Sequence, residues 1–125
     1  MRILLDNRGT APIYEQIVTQ IREQIVSGEL MEDEALPSIR SLARDLRISV
    51  ITTKRAYEEL EAAGYIRTLP GKGSFVAQKN TELVREERLR QIEQSLAETA
   101  RLAKLCGLNE EEILTMYRLI TEVEE

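Results

Sequence analysis

Between Ser49 and Val76 the apolar residues follow two different periods, and the change falls on one glycine. Before Gly64, the residues Thr53, Ala56, Tyr57, Leu60 and Ala63 recur at three- and four-residue steps, the inner face of a helix. After it, Tyr65-Ile66-Arg67-Thr68-Leu69 and Ser74-Phe75-Val76-Ala77 are β-prone runs on either side of Pro70-Gly71-Lys72-Gly73, a strong turn signal. Such a segment must set a helix beside a two-stranded hairpin. An isolated hairpin is marginal in water, so this one is expected to pack on helices through Ile66, Phe75 and Val76. Upstream, Ile13, Ile17, Ile21 and Ile25 stand four apart, with Val18 widening the stripe. Pro12 suits the first turn of that helix and Gly28 its far end. An acidic loop, Glu29 to Leu36, then leads to Pro37. Ser38 is placed to cap a short helix carrying Ile39, Leu42, Ala43 and Leu46, and Ser49 to cap the next. Gly64 ends that third helix in the left-handed conformation. The expected order is helix, helix, tight turn, helix, hairpin.

Composition narrows what such a chain can do. Its 125 residues include no histidine, which removes histidine-based acid–base pairs, a Ser-His-Asp triad and histidine metal sites. A single cysteine, Cys106, can build neither a zinc cluster nor an internal disulfide; it sits in an apolar helical stretch and is expected to be buried and inert. No glycine-rich phosphate or dinucleotide loop occurs. We therefore expect a binding protein, not an enzyme, with no cofactor and no metal. No apolar run approaches the roughly 20 residues of a membrane helix, and the opening Met1-Arg2-Ile3-Leu4-Leu5-Asp6 meets charge too early for a secretory signal. The expected location is the cytoplasm, away from membranes.

The formal net charge of −5 conceals an asymmetry. Residues 1–79 carry eleven basic and eleven acidic side chains, and residues 80–125 carry six and eleven. Within 38–79 stand eight cations (Arg40, Arg44, Arg47, Lys54, Arg55, Arg67, Lys72, Lys79) against four acidic groups. Local placement decides what a polyanion meets, so the acidic total does not exclude one. Two short helices joined at Leu46-Arg47-Ile48 form a helix-turn-helix candidate, a device that lays its second helix in the major groove. The leading residues of that helix are Ser49, Val50, Ile51, Thr52 and Lys54. Ser49 and Thr52 can contact phosphate or base. Val50 and Ile51 are expected on an exposed face, where they could touch thymine methyls, with a place in the core as the alternative. Arg40 can reach backbone or base, and Lys54 and Arg55 add charge beside the groove. At the hairpin tip, Gly71-Lys72-Gly73 puts one cation on a backbone able to approach phosphate closely, as a wing does. Arg44, Arg47 and Arg67 read as solvated surface, and Tyr14 and Tyr57 as packing residues.

Three runs carry a resemblance: Leu36-Pro37-Ser38-Ile39-Arg40-Ser41-Leu42-Ala43, Thr53 to Ile66, and Pro70-Gly71-Lys72-Gly73-Ser74-Phe75-Val76. Together they resemble the winged helix-turn-helix of GntR-family transcriptional regulators. Pro12 to Ile17 and Ser27-Gly28-Glu29-Leu30 are similar to that family's first helix, so the match covers about residues 8–78. The remainder resembles the YtrA-type subgroup, whose tail is two helices. The resemblance implies a homodimer that binds operator DNA, usually as a repressor, with DNA contacts at Arg40, Ser49, Thr52, Lys54, Gly71 and Lys72. The chain departs from the family in two places. Arg47 stands where glycine is frequent, and Val50 where arginine is frequent, which implies a different base preference at that step.

The tail reads as a second unit, residues 79–125 following a domain of 1–78. Thr81 can cap a long helix to about Cys106, stopped by Gly107, with Val84 ahead of a stripe of Leu89, Ile92, Leu96, Ala100 and Ala103. Asn109 with Glu112 fits a capping-box variant that opens a last helix bearing Ile113, Tyr117, Ile120 and either Met116 or Val123. A lone helical hairpin would leave these stripes in water, and pairing with a second copy would cover them. The expected fold is thus mostly α (α+β): a winged helix-turn-helix with a two-stranded wing, then a helical hairpin for dimerisation. The expected partners are double-stranded operator DNA of near-palindromic sequence and a second copy of the chain. A small-molecule effector site is left open, between the tail helices or at the dimer interface. The competing reading is a winged-helix adaptor that binds protein through Val50 and Ile51.

Overall fold

A computed structural model describes residues 1–78 and 81–124; Lys79, counted among the cations above, lies outside the described residues. The chain forms two compact units, Met1–Val84 and Arg85–Glu125. The element order is α1 (Ile13–Val26), α2 (Ile39–Leu46), α3 (Val50–Ala62), β1 (Ile66–Leu69), β2 (Gly73–Val76), α4 (Thr81–Cys106) and α5 (Glu110–Glu124).

In the first unit α3 is the element the others pack against, with α1 and α2 on it and β1 at its end. Ile17 and Ile21 of α1 are completely buried and meet Ala56, Tyr57 and Leu60 of α3, as the four-residue spacing requires. Ile13, Val18 and Ile25 flank them, partly buried. Thr53 is also fully buried, its hydroxyl donating to the Ser49 carbonyl at 3.1 Å. Ala63 does not join this face; it is exposed and terminates α3, because Gly64, at φ +89°, turns the chain away before another helical turn can form.

The hairpin pairs Ile66 with Val76 and Leu69 with Gly73, antiparallel. Both members of the first pair are buried. Phe75 corrects the expectation that it packs inward: alternation along the strand turns it to the other face, half-buried, with the Arg67 guanidinium 5.6 Å from its ring centroid. The segment read as an acidic loop also differs. Residues 33–36 run along the free edge of β2: Asp33 N donates to Val76 O, Val76 N to Glu34 O and Leu36 N to Ser74 O, each at 2.9 Å. This covers a strand edge that would otherwise expose unpaired backbone groups. Arg67 and Asp33 tie the segment down with a 2.8 Å ion pair.

A second feature has no counterpart in the apolar pattern. Gln16, Gln20 and Gln24 stand four apart on α1 and hold the extended opening segment by its main chain. Gln20 accepts from Leu4 N (2.8 Å) and donates to Leu4 O (2.6 Å), Gln16 does the same for Asp6, and Gln24 donates to Arg2 O. Ile3 and Leu5 thereby pack on the core.

In the second unit, Asn109 Oδ1 accepts from Glu112 N at 2.9 Å and Glu112 Oε1 accepts from Asn109 N at 3.2 Å, the reciprocal bonds of a capping box. Cys106 is exposed, against expectation, since the last turn of α4 leaves its thiol on the open side with only a long contact to the Ala103 carbonyl. Ile21→Ala should lower stability by about 2–5 kcal/mol in urea denaturation, because it empties a site with no solvent access, whereas Ile51→Ala on the outer face of α3 should stay within about 0.5 kcal/mol of the parent.

Candidate nucleic-acid interface

The geometry of the helix pair is set in the three residues between α2 and α3. Arg47 adopts the left-handed conformation (φ +57°, ψ +48°) and Ile48 N donates to Ala43 O at 3.0 Å, closing α2 as a glycine-terminated helix would close. Ser49 then caps α3: its Oγ accepts from Thr52 N at 3.0 Å and donates to Thr52 Oγ1 at 2.7 Å. Ser38 caps α2 in the same manner, accepting from Ser41 N. The two helices are also tied at long range. The buried Tyr57 hydroxyl donates to the Pro37 carbonyl at 2.7 Å, and burial pushes that phenol well above its ordinary pKa, so the donor proton stays in place.

With Thr53, Ala56, Tyr57 and Leu60 committed to the core, the outer face of α3 is fixed. Val50 is 47% exposed and Ile51 81%, which excludes the core alternative for both. Lys54 is exposed and lies 3.8 Å from Glu58 one turn on. Arg55 is more committed: its Nε is 3.6 Å from Glu59, and its guanidinium stacks over the Tyr14 ring at 3.7 Å. Tyr14 is thus a packing residue with an added role as a cation platform. Burial raises its phenol above the ordinary range while Arg55 opposes the shift.

Arg40, second in α2, and Lys72, at the hairpin tip, are both exposed and form no ion pair among the described residues. Lys72 N closes the turn on Leu69 O at 2.9 Å. Gly71 and Gly73 flank it at φ +76° and +106°, and no atom lies within 4 Å of where their side chains would begin. This is a narrow, open tip whose backbone can approach a ligand closely. The structure therefore brings Ser49 and Thr52 into direct contact, leaves Val50, Ile51, Arg40 and Lys72 outward, and draws Arg55 toward α1.

A capped helix pair with a third helix beneath it and a β-hairpin beside it is a winged helix-turn-helix, an architecture that presents one helix to a DNA groove. Residues 13–76 match the model of the bacterial regulatory proteins of the gntR family, and the chain belongs to that family of DNA-binding transcriptional regulators. It is 32% identical to the HTH-type transcriptional repressor YtrA of Bacillus subtilis, over 89% of this chain and 85% of the relative. It is 34% identical to the regulator YhcF of the same organism, over 94% and 98%. Among solved structures, a transcriptional regulator from Oenococcus oeni superposes with a TM-score of 0.80 at 30% identity, covering 94% of this chain and 97% of that one. The DNA-binding domain of AraR in complex with operator ORR3 gives a TM-score of 0.52 at 26% identity, over 62% and 93%. The family is one of transcriptional regulators, not of enzymes.

Arg47 carries a side chain in a conformation that disfavours one. Replacing it with glycine should raise stability by up to about 1 kcal/mol, while Arg47→Val, β-branched at positive φ, should lower it by more than about 1 kcal/mol, both read from urea midpoints.

Proposed function

We propose that the chain is a homodimeric repressor that reads a near-palindromic operator with α3 and the hairpin wing. The observation that carries this reading is the division of α3: one face is committed to the core, and the other turns outward with Val50, Ile51 and Lys54 exposed. The proposed DNA surface comprises Arg40, Ser49, Val50, Thr52, Lys54, Arg55, Gly71, Lys72 and Gly73, within a reading domain of residues 1–78. Arg40 and Lys72 supply charge that forms no ion pair among the described residues. Lys54 can exchange its exposed partner Glu58 for phosphate at little cost, since such pairs contribute only about 0.3–0.5 kcal/mol.

Residues 79–125 serve as the pairing device in this reading. Leu89, Ile92, Leu96, Tyr117 and Ile120 are all exposed, the last three at 57–63%. Ala100, Ala103 and Ile113 complete the proposed stripe, of which Ala103 and Ile113 are the more covered. So much apolar surface on a hairpin of two helices favours association with an identical copy. Two recognition helices brought to one duplex predict half-sites about one turn, roughly 10 bp, apart. An open groove of about 390 Å³ between α4 and α5, with Leu96, Ala100, Ala103, Leu108 and Ile113 beside Thr99, Lys104 and Glu110, would suit a small, largely apolar effector in this reading. The cytoplasmic location proposed for the chain follows from its partner; among the described residues, no helix is long and apolar enough to cross a membrane.

Light scattering at micromolar concentration should give twice the 14.3 kDa chain mass; a monomer that binds DNA one chain per site overturns the pairing. Affinity for operator DNA should fall linearly on a log–log plot against salt. Arg40→Ala should cost about 1–3 kcal/mol and Lys72→Ala should reduce the salt slope by about 1. Unchanged binding in both variants would mean that α2 and the wing do not meet DNA.

A further inference from the structure

Ile51 is the most exposed large apolar side chain among the described residues of the first unit, at 81%, ahead of Met31 at 69% and Leu4 at 68%. It stands in the first turn of α3, where a recognition helix meets base edges. The polar groups around it are largely occupied. Ser49 spends its proton on Thr52 Oγ1 and accepts from Thr52 N, Lys54 leans on Glu58, and Arg55 lies over Tyr14. Val50, beside Ile51, is also apolar and exposed. The leading end of the helix thus offers two side chains that cannot form hydrogen bonds, where arginine, asparagine or glutamine would pair with guanine or adenine.

In the major groove the apolar feature available to such a pair is the 5-methyl group of thymine. Packing Ile51 on that methyl removes apolar surface from water on both sides. Packing it on a guanine edge, or on a cytosine amino group, dehydrates polar atoms without giving them a partner. We propose that Ile51, supported by Val50, is a specificity-determining residue that selects a pyrimidine 5-methyl group, so each operator half-site carries a thymine under the start of α3. This rests on the reading that α3 enters the major groove of an operator.

The test uses the full chain and a duplex selected by it from random DNA, compared with the same duplex in which deoxyuridine replaces thymine, removing only the methyls. Fluorescence anisotropy at fixed salt should show wild type weakened about three- to fivefold per half-site, the size of one buried methyl. Ile51→Ala should bind the thymine duplex with a similar loss and no longer distinguish the two duplexes. Equal binding of both duplexes by wild type, with a steep salt dependence retained, overturns the methyl reading and leaves operator binding intact. A uridine penalty that persists undiminished in Ile51→Ala also overturns it, because another group then reads the methyl. Failure to select any duplex above non-specific binding removes both the operator reading and this one.

Discussion

The turn between α2 and α3 holds two helices at an angle that neither helix could impose alone. Arg47 ends the first in a left-handed conformation, and Ser49 starts the second two residues later with its own hydroxyl. Local bonds of this kind fix directions near the turn and leave the far ends free to swing. The Tyr57–Pro37 hydrogen bond removes that freedom, because it joins the middle of α3 to the residue just before the α2 cap, twenty positions away in sequence. Once both constraints hold, the rotation of α3 about its own axis is set. Thr53, Ala56, Tyr57 and Leu60 point inward, and Val50, Ile51 and Lys54 must point outward. The hairpin then follows from Gly64, which releases the chain from the helix against the core that α3 has already built.

What the sequence made legible is what local physics controls. Ser38, Ser49 and the Asn109–Glu112 pair announce helix starts by residue type at fixed offsets, and each makes the expected bond. The apolar stripe of α1 and the glycine-flanked hairpin turn are equally short-range signals. The features that escaped depend on partners distant in sequence. Three glutamines on α1 look like an ordinary solvated face, yet they serve as main-chain substitutes for the segment around Leu4 and Asp6. Residues 33–36 have loop composition and still pair with β2, because the edge they cover has no other neighbour. Cys106 is exposed where periodicity suggests burial, because helical periodicity places a residue on a face without saying whether anything covers that face.

The candidate site was legible in the same uneven way. The exposure of Val50 follows from where the core stripe begins, and that of Ile51 is resolved only by the assembled fold. The pairing of Lys54 with Glu58 is a local one, at helical i,i+4 spacing. The stacking of Arg55 on Tyr14 is not, since it joins α3 to α1 across forty residues. Two cations adjacent in sequence therefore differ in what it costs to redirect them. Lys54 gives up one weak, solvated pair. Arg55 gives up an ion pair and an aromatic contact together, and in doing so uncovers part of Tyr14.

That difference bears on how affinity and selectivity divide over the surface. Arg40 and Lys72 stand on separate elements, and neither forms an ion pair among the described residues; on the proposed reading their attraction to phosphate depends on charge, weakens with salt and is blind to sequence. The apolar start of α3 contributes little at long range, and salt affects it weakly because no counterion is released when it packs. Raising the salt should thus erode the phosphate contribution while sparing the part that separates one base pair from another. On the proposed reading, such a surface gains relative selectivity as it loses affinity, whereas one reading guanine through an arginine at the position of Val50 would surrender some of both.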